Sequence, residues 1–249
     1  MEDFIKNLSK KYRTDSFFLM LPAIISTLIA LITLPIILRN LPVENYGIFQ
    51  FILALQIWLI VFTGSHITSG STRGITKGFN GTFLFAFLSR FKLSIITGSV
   101  MLIVSLYFYF INSYIFFFLL VIFSIYLIFG YLFQPTYTQF FIAKKQFKNL
   151  AVWQITTSLI VSISSALTTY FTHNIVIFAL VQLGLGFFIS LIAWLYVIKK
   201  NNLLSAYKKG EIDEECVLYG LKLIPVDLIS VTAGKISHFI IGPFLDFQI

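Results

Sequence analysis

The sequence predicts an all-α, polytopic transmembrane helix bundle, and three observations predict it. Hydrophobic residues make up 58% of the 249-residue chain and charged residues 11%, whereas a soluble domain carries about 25% charged residues. The mean hydropathy is +0.90. The apolar residues gather in uncharged runs of about 20, the length that crosses a bilayer as a helix. Membrane strands would be about half as long and would alternate. Too little polar surface remains to coat a globule, which excludes an ordinary soluble enzyme. The same apolar excess excludes a disordered chain.

The elements follow in order. Residues 1–15 form an N-terminal segment predicted to be cytoplasmic. Phe4, Ile5, Leu8 and Tyr12 fall on one helical face among Lys6, Lys10 and Lys11, a pattern that suits an amphipathic helix on the inner leaflet and equally a solvated tail. The first span covers 16–38. It is too long for the apolar region of a signal peptide, and no A-x-A-like cleavage site follows it. Five more spans cover 46–68, 93–111, 114–133, 150–171 and 175–198, so that 16–198 form a six-helix transmembrane lobe. A cytoplasmic loop occupies 199–216. A seventh, less apolar span at 217–241 lies in a final region, 217–249.

The basic residues orient this bundle. The net charge of +8 comes from Lys and Arg concentrated at one end. Lys6, Lys10, Lys11 and Arg13 precede the first span, and Arg73, Lys77, Arg90 and Lys92 lie between the second and third. Lys144, Lys145 and Lys148 precede the fifth, and Lys199, Lys200, Lys208 and Lys209 the seventh. The opposite loops hold Arg39 alone. By the positive-inside rule the N-terminus is cytoplasmic, in an inner or plasma membrane. Topology therefore accounts for the basic excess, and no nucleic-acid partner is expected. The single cysteine, Cys216, excludes an internal disulfide framework. His66, His173 and His238 are far apart, and no spacing reads as a metal site. There is no phosphate loop, nucleophile motif or HExxH, and Glu211, Asp213, Glu214 and Glu215 read as a solvated linker because acid/base chemistry needs a shaped site, so no enzyme and no cofactor are expected.

Polar stripes mark the candidate functional faces. In the fifth span Gln154, Ser158, Ser162, Ser165 and Thr169 recur every three or four residues, on one face about 80° wide. They suit a hydrated cavity lining or close helix packing through small and hydroxyl residues. The seventh span holds Asp227, Lys235 and His238 on one stripe. Ionisable groups at membrane depth are costly unless paired or hydrated. Lys235 and His238 therefore suit contacts to an anionic headgroup, with Asp227 an ion or proton site, or else an internal Asp/Lys pair. Pro225 just before them is placed to kink the helix. Arg73, Arg90 and Lys92 at the cytoplasmic mouth are candidates for attracting a diphosphate or serve as topology determinants.

Residues 38–49, LRNLPVENYGIF, resemble the R-x-L-G-P-E-x-Y-G-x-F junction of polysaccharide-biosynthesis (Wzx-like) flippases, relatives of the multidrug (MATE) exporters. Residues 64–77, GSHITSGSTRGITK, are similar to the segment after that family's second helix, with Arg73 at its basic position. Residues 144–148, KKQFK, resemble its short basic loop. Tyr219-Gly220, Pro225 and Ile240-Ile241-Gly242 resemble its seventh helix. The junction here lacks the family's glycine, and the first helix has no buried cation, so no headgroup-binding arginine is carried over to it.

The resemblance implies a MATE-like fold of two six-helix lobes related by a pseudo-two-fold axis. This chain would supply the first lobe and the start of the second, and so be a piece of a longer protein. It further implies a flippase that moves a polyprenyl-diphosphate-linked oligosaccharide across the bilayer by alternating access. Polysaccharide polymerase and glycosyltransferases would be its partners. A cation-coupled multidrug exporter would need an acidic residue in the first lobe's cavity, and spans one to six contain none beyond Asp15 at the edge. A non-transporting assembly subunit and a membrane-bound transferase are the remaining alternatives.

Overall fold

The structure, a computed structural model, describes residues 2–232 except Asp227, with side chains from Asp15 onward except that of Cys216. Among the described residues the regular structure is all helical. Hydrocarbon offers no water to backbone amides, so a spanning segment must satisfy its own N–H and C=O groups, and a helix does this locally.

Helix α1 runs over Glu2–Asn40, continuous through the first span. Helix α2, Val43–Ile60, ends in a tight 3₁₀ turn, Val61–Thr63. Gly64 follows at φ +72°, a left-handed conformation that glycine adopts without Cβ strain. Helix α3 then covers Ser65–Thr76. The predicted second span is therefore a membrane helix with a short, separate helix at its end. Candidate spans extend over Asp15–Asn40, Val43–Thr63, Thr82–Phe110, Tyr114–Ala143, Phe147–Thr172 and Ile175–Lys200. Of the seventh predicted span, 217–241, the described residues are 217–226 and 228–232.

Two boundaries differ from those the sequence predicts. Helix α4 covers Thr82–Phe110, so the third span starts well before 93. A hydropathy window breaks at Arg90 and Lys92, yet the backbone continues because Arg90 is enclosed by protein. The fourth span continues past 133. Helix α5, Tyr114–Ile125, passes through a π turn, Tyr126–Gly130, into α6, Phe133–Ala143. In that turn the Tyr131 N–H donates to the Tyr126 carbonyl at 2.9 Å, one residue beyond the α-helical partner.

Helix α7, Phe147–Thr172, packs along α1 on one side and α8, Ile175–Lys200, on the other. At their shared end Asn174 caps α8, its Oδ1 accepting from the Val176 and Ile177 N–H groups. His173 Nδ1 lies 2.9 Å from the Asn40 carbonyl and ties the ends of α1 and α7. Two short helices at the other end, α9 (Leu203–Lys208) and α10 (Glu214–Lys222), follow α8. Successive connections alternate between ends, so the basic turns fall together.

The interior has two main aromatic and aliphatic clusters. Phe49 of α2 meets Phe123 and Phe178 edge-on, at 5.5 and 5.0 Å between ring centroids, with Ile52, Met101 and Leu119 around them. Nearer the basic end Phe83 packs edge-on against Phe140 at 5.4 Å, beside Tyr137, Val197 and Leu203. Outward faces are strongly apolar, as lipid contact requires. Leu31 and Ile32 of α1, for example, are 67% and 69% exposed.

Helices α4 and α5 approach closely at Gly98. A Cβ there would overlap Ile128 and stand 3.2 Å from the Ser124 carbonyl. Nothing lies within 4 Å of a Cβ built at Gly184 in α8. Gly98→Leu is therefore expected to cost about 1–3 kcal/mol through overpacking. Gly184→Ala should be neutral or gain up to about 1 kcal/mol in helix propensity. Thermal unfolding of the purified chain in detergent, read by intrinsic fluorescence, checks both.

Candidate functional site

Helix α3 owes its place to small residues. Ile67, Thr68, Gly70, Ser71, Gly74 and Ile75 are buried on one stripe, and the narrow side chains among them let neighbouring helices come near. Thr72 Oγ1 donates to Gln139 Oε1 of α6 at 2.7 Å. On the other side α10 lies so close that a Cβ at Gly220 would stand 2.6 Å from the Ile67 Cα and 2.7 Å from the His66 carbonyl oxygen. Val217 is buried with Ile67 and Ala86.

This contact opens a cleft between the outer faces of α3 and α10, of about 390 Å³, lined by Gly70, Arg73, Lys77, Glu215, Leu218, Tyr219 and Lys222. Three cations face one carboxylate there. Lys77 is engaged with Asp213 at 2.8 Å, on a lysine side chain 46% exposed, so this surface pair adds at most about 1 kcal/mol. The Asp213 N–H donates to Thr82 Oγ1 at 2.9 Å, which holds the loop before α10 over the start of α4. Arg73 and Lys222 are exposed, as is Tyr219. The arrangement can hold an anion between a guanidinium and an ammonium, with an aromatic face beside it. Arg73 can offer a bidentate fork to phosphate oxygens.

Of the residues singled out in the sequence, Arg73 stands in this cleft. Asp227, Lys235 and His238 lie outside the described residues. Along α7, Gln154, Ser158 and Ser162 are half-buried, whereas Ser165 and Thr169 are buried. Thr169 Oγ1 donates to its own helix at the Ala166 carbonyl, 2.9 Å away. Ala166 belongs to the core cluster of Ile37 of α1 and Leu41 just after it. The stripe thus passes from packed to part-exposed along its length.

Two features escape sequence reasoning. Lys222 and Tyr219 share one face of α10 with Glu215 and Leu218, and that i, i+3, i+4, i+7 spacing was the available signal. The second is Arg90. Read as a mouth cation, it is instead 0% exposed inside the helix bundle. Its Cζ lies 5.5 Å from the Tyr131 ring centroid, and Nη2 is 3.5 Å from Thr63 Oγ1. Lys92, two residues on, points out of the protein.

Six long apolar helices among the described residues, all of whose regular structure is helical, define a multi-pass membrane protein. The sequence pattern of the family described as "Polysaccharide biosynthesis protein" matches residues 13–247. The chain belongs to that family, and is thus a membrane protein of polysaccharide biosynthesis. No curated protein and no solved structure matches it.

The Gly220 contact sets the width of the cleft. Gly220→Ala is expected to push α10 away from α3, lower the unfolding midpoint, and speed limited trypsin cleavage at Lys208 and Lys209 several-fold. Unchanged cleavage would show that α10 does not depend on this contact.

Proposed function

We propose that the chain is the first lobe of a flippase for a polyprenyl-diphosphate-linked oligosaccharide, and that the cleft between α3 and α10 admits the headgroup. The observation that carries this reading is the convergence of Arg73 and Lys222, from helices far apart in sequence, beside the exposed ring of Tyr219 in one cleft at the basic end. The chemistry matches the cargo. A diphosphate needs cations, a sugar ring accepts an aromatic face, and the lipid tail stays in the bilayer around the apolar helices.

Crossing hydrocarbon would strip the headgroup of water at prohibitive cost. A lobe that presents polar side chains inward replaces that hydration. In this reading the half-buried Gln154, Ser158 and Ser162 line the path, and Asp227, Lys235 and His238 add ion and headgroup contacts further along the chain. The lobe rocks against a second one in alternating access, working beside glycosyltransferases and a polymerase. The basic end faces the cytoplasm, where the headgroup is assembled, and the membrane is the cytoplasmic one.

Two measurements test the reading. In vesicles reconstituted with the full protein and a fluorescent polyprenyl-diphosphate oligosaccharide, Arg73→Gln with Lys222→Gln should slow flipping by about tenfold or more. Charge-assisted hydrogen bonds contribute about 1.5–3 kcal/mol each. Insertion should be unaffected, and equal flipping would exclude the cleft as the headgroup's entrance. For orientation, single cysteines at Thr76 and His173 in a Cys216→Ser background are labelled in intact cells with a membrane-impermeant maleimide. Labelling at 173 and protection at 76 are expected, and the reverse pattern would invert the proposed direction.

A further inference from the structure

Among the described residues Arg90 is the largest fully buried side chain. It sits two turns into α4, about 12 Å beyond the first residue of that helix. A guanidinium stays protonated in any protein environment, so this is a permanent charge in the interior. Among the described residues no carboxylate pairs with it, and its Nε and Nη1 have no hydrogen-bond partner. A buried cation without a counter-charge raises the free energy of the packing that encloses it.

The groups that do touch Arg90 share a property. Thr63, whose Oγ1 accepts from Nη2 at 3.5 Å and donates its own proton to the Ile60 carbonyl at 2.7 Å, belongs to the 3₁₀ turn that separates α2 from α3. Tyr131, whose ring lies under the guanidinium, closes the π turn between α5 and α6. One helical turn beyond Arg90, Ser94 Oγ donates to the Ile128 carbonyl inside that π turn at 3.2 Å. One face of α4 therefore holds both backbone irregularities of the lobe. π turns and 3₁₀ stretches within helices often mark hinges. The first of them sets the direction of α3, and α3 carries Arg73.

We infer that Arg90 is a positioning residue that pins the α2–α3 break to the π turn, and that its charge, which no carboxylate among the described residues neutralises, keeps this packing poised to open. With the pin engaged, α3 lies as observed, against α4 and α10. With it released, α3 swings relative to α4 and takes Arg73 with it. The part played by Arg73 rests on the function proposed above, whereas the hinge itself does not. A neutral side chain of similar length removes the pin together with the charge that favours opening, so apolar packing alone holds α3 in the observed position, whereas loss of the pin with the charge retained favours opening. Lysine keeps the charge but lacks the planar fork and the stacking face.

The test uses the full protein in lipid nanodiscs, in a Cys216→Ser background, with spin labels at Thr76→Cys in the last turn of α3 and Lys92→Cys on the exposed side of α4. Two distance populations are expected for the parent. Arg90→Met should retain only the shorter one and raise the unfolding midpoint by about 3 °C. Arg90→Lys should keep both populations with a lower midpoint. Where Arg90→Met does not accumulate, Thr63→Val replaces it, and loss of the acceptor should shift the parent's ratio toward the longer distance by about threefold or more.

Identical distributions in the parent and in the variant that is measured, or a lower midpoint for Arg90→Met, would overturn the inference and leave Arg90 an ordinary structural contact. Flipping of the fluorescent oligosaccharide should fall about tenfold in Arg90→Met while its binding is retained. If the parent itself fails to flip that probe while the distance result holds, the proposed cargo is wrong and the hinge stands.

Discussion

A backbone amide in hydrocarbon can bond only to other parts of the protein. Every departure from the α-helical pattern inside the bundle must therefore be repaired locally. Between α2 and α3 the repair is a 3₁₀ turn, with the Gly64 N–H donating to Val61 and the Ile67 N–H to Gly64. Between α5 and α6 it is the five-residue reach from Tyr131 to Tyr126. Both repairs sit against α4, which supplies Arg90 to one side chain of each and Ser94 to a carbonyl of the second. The position of α3, and with it the cleft, depends on this arrangement.

Packing in a membrane gains little from the hydrophobic effect, because lipid tails are as apolar as leucine. Close approach and shape take over. Narrow places include Gly98 against α5 and the π turn, Gly220 against the backbone of α3, and Gly81 against the backbone of Tyr207 and Glu211. Gly74 lies near Thr82 and Asp213 in the same region. Larger side chains at these points would separate the helices that the polar contacts then could not bridge. The aromatic clusters around Phe49 and Phe83 fill the wider spaces between helices.

Charge in this protein is sorted by depth. Most basic side chains gather at one end in turns and short helices, where water and lipid headgroups solvate them, and there Arg73 and Lys222 meet across the cleft. Within the α4 span Arg90 is enclosed by protein and away from lipid, whereas Lys92, two residues on, is exposed. An arginine can occupy such a site because its flat, weakly hydrated head group tolerates an aromatic ring beneath it. The difference between these arginines lies in their surroundings, since each is an arginine near the start or end of a helix at the same side of the bundle.

Composition and run length alone determined that the protein is helical and crosses a membrane several times, because bilayer thickness acts on each segment independently of the others. The family was legible too, in short motifs distributed along the chain. Arg73 was legible as a candidate through its place in one of them. The extent of α4 was not, because a hydropathy window treats any arginine as exposed to lipid, and only the fold shows Thr63 and Tyr131 around Arg90. Lys222 and Tyr219 were hidden for a related reason. Their significance lies in facing Arg73, and that pairing joins residues well over a hundred positions apart where Gly220 and Val217 of α10 meet α3. Properties that one segment sets against its solvent can be read in sequence, whereas those that arise where two segments meet are decided by the tertiary structure.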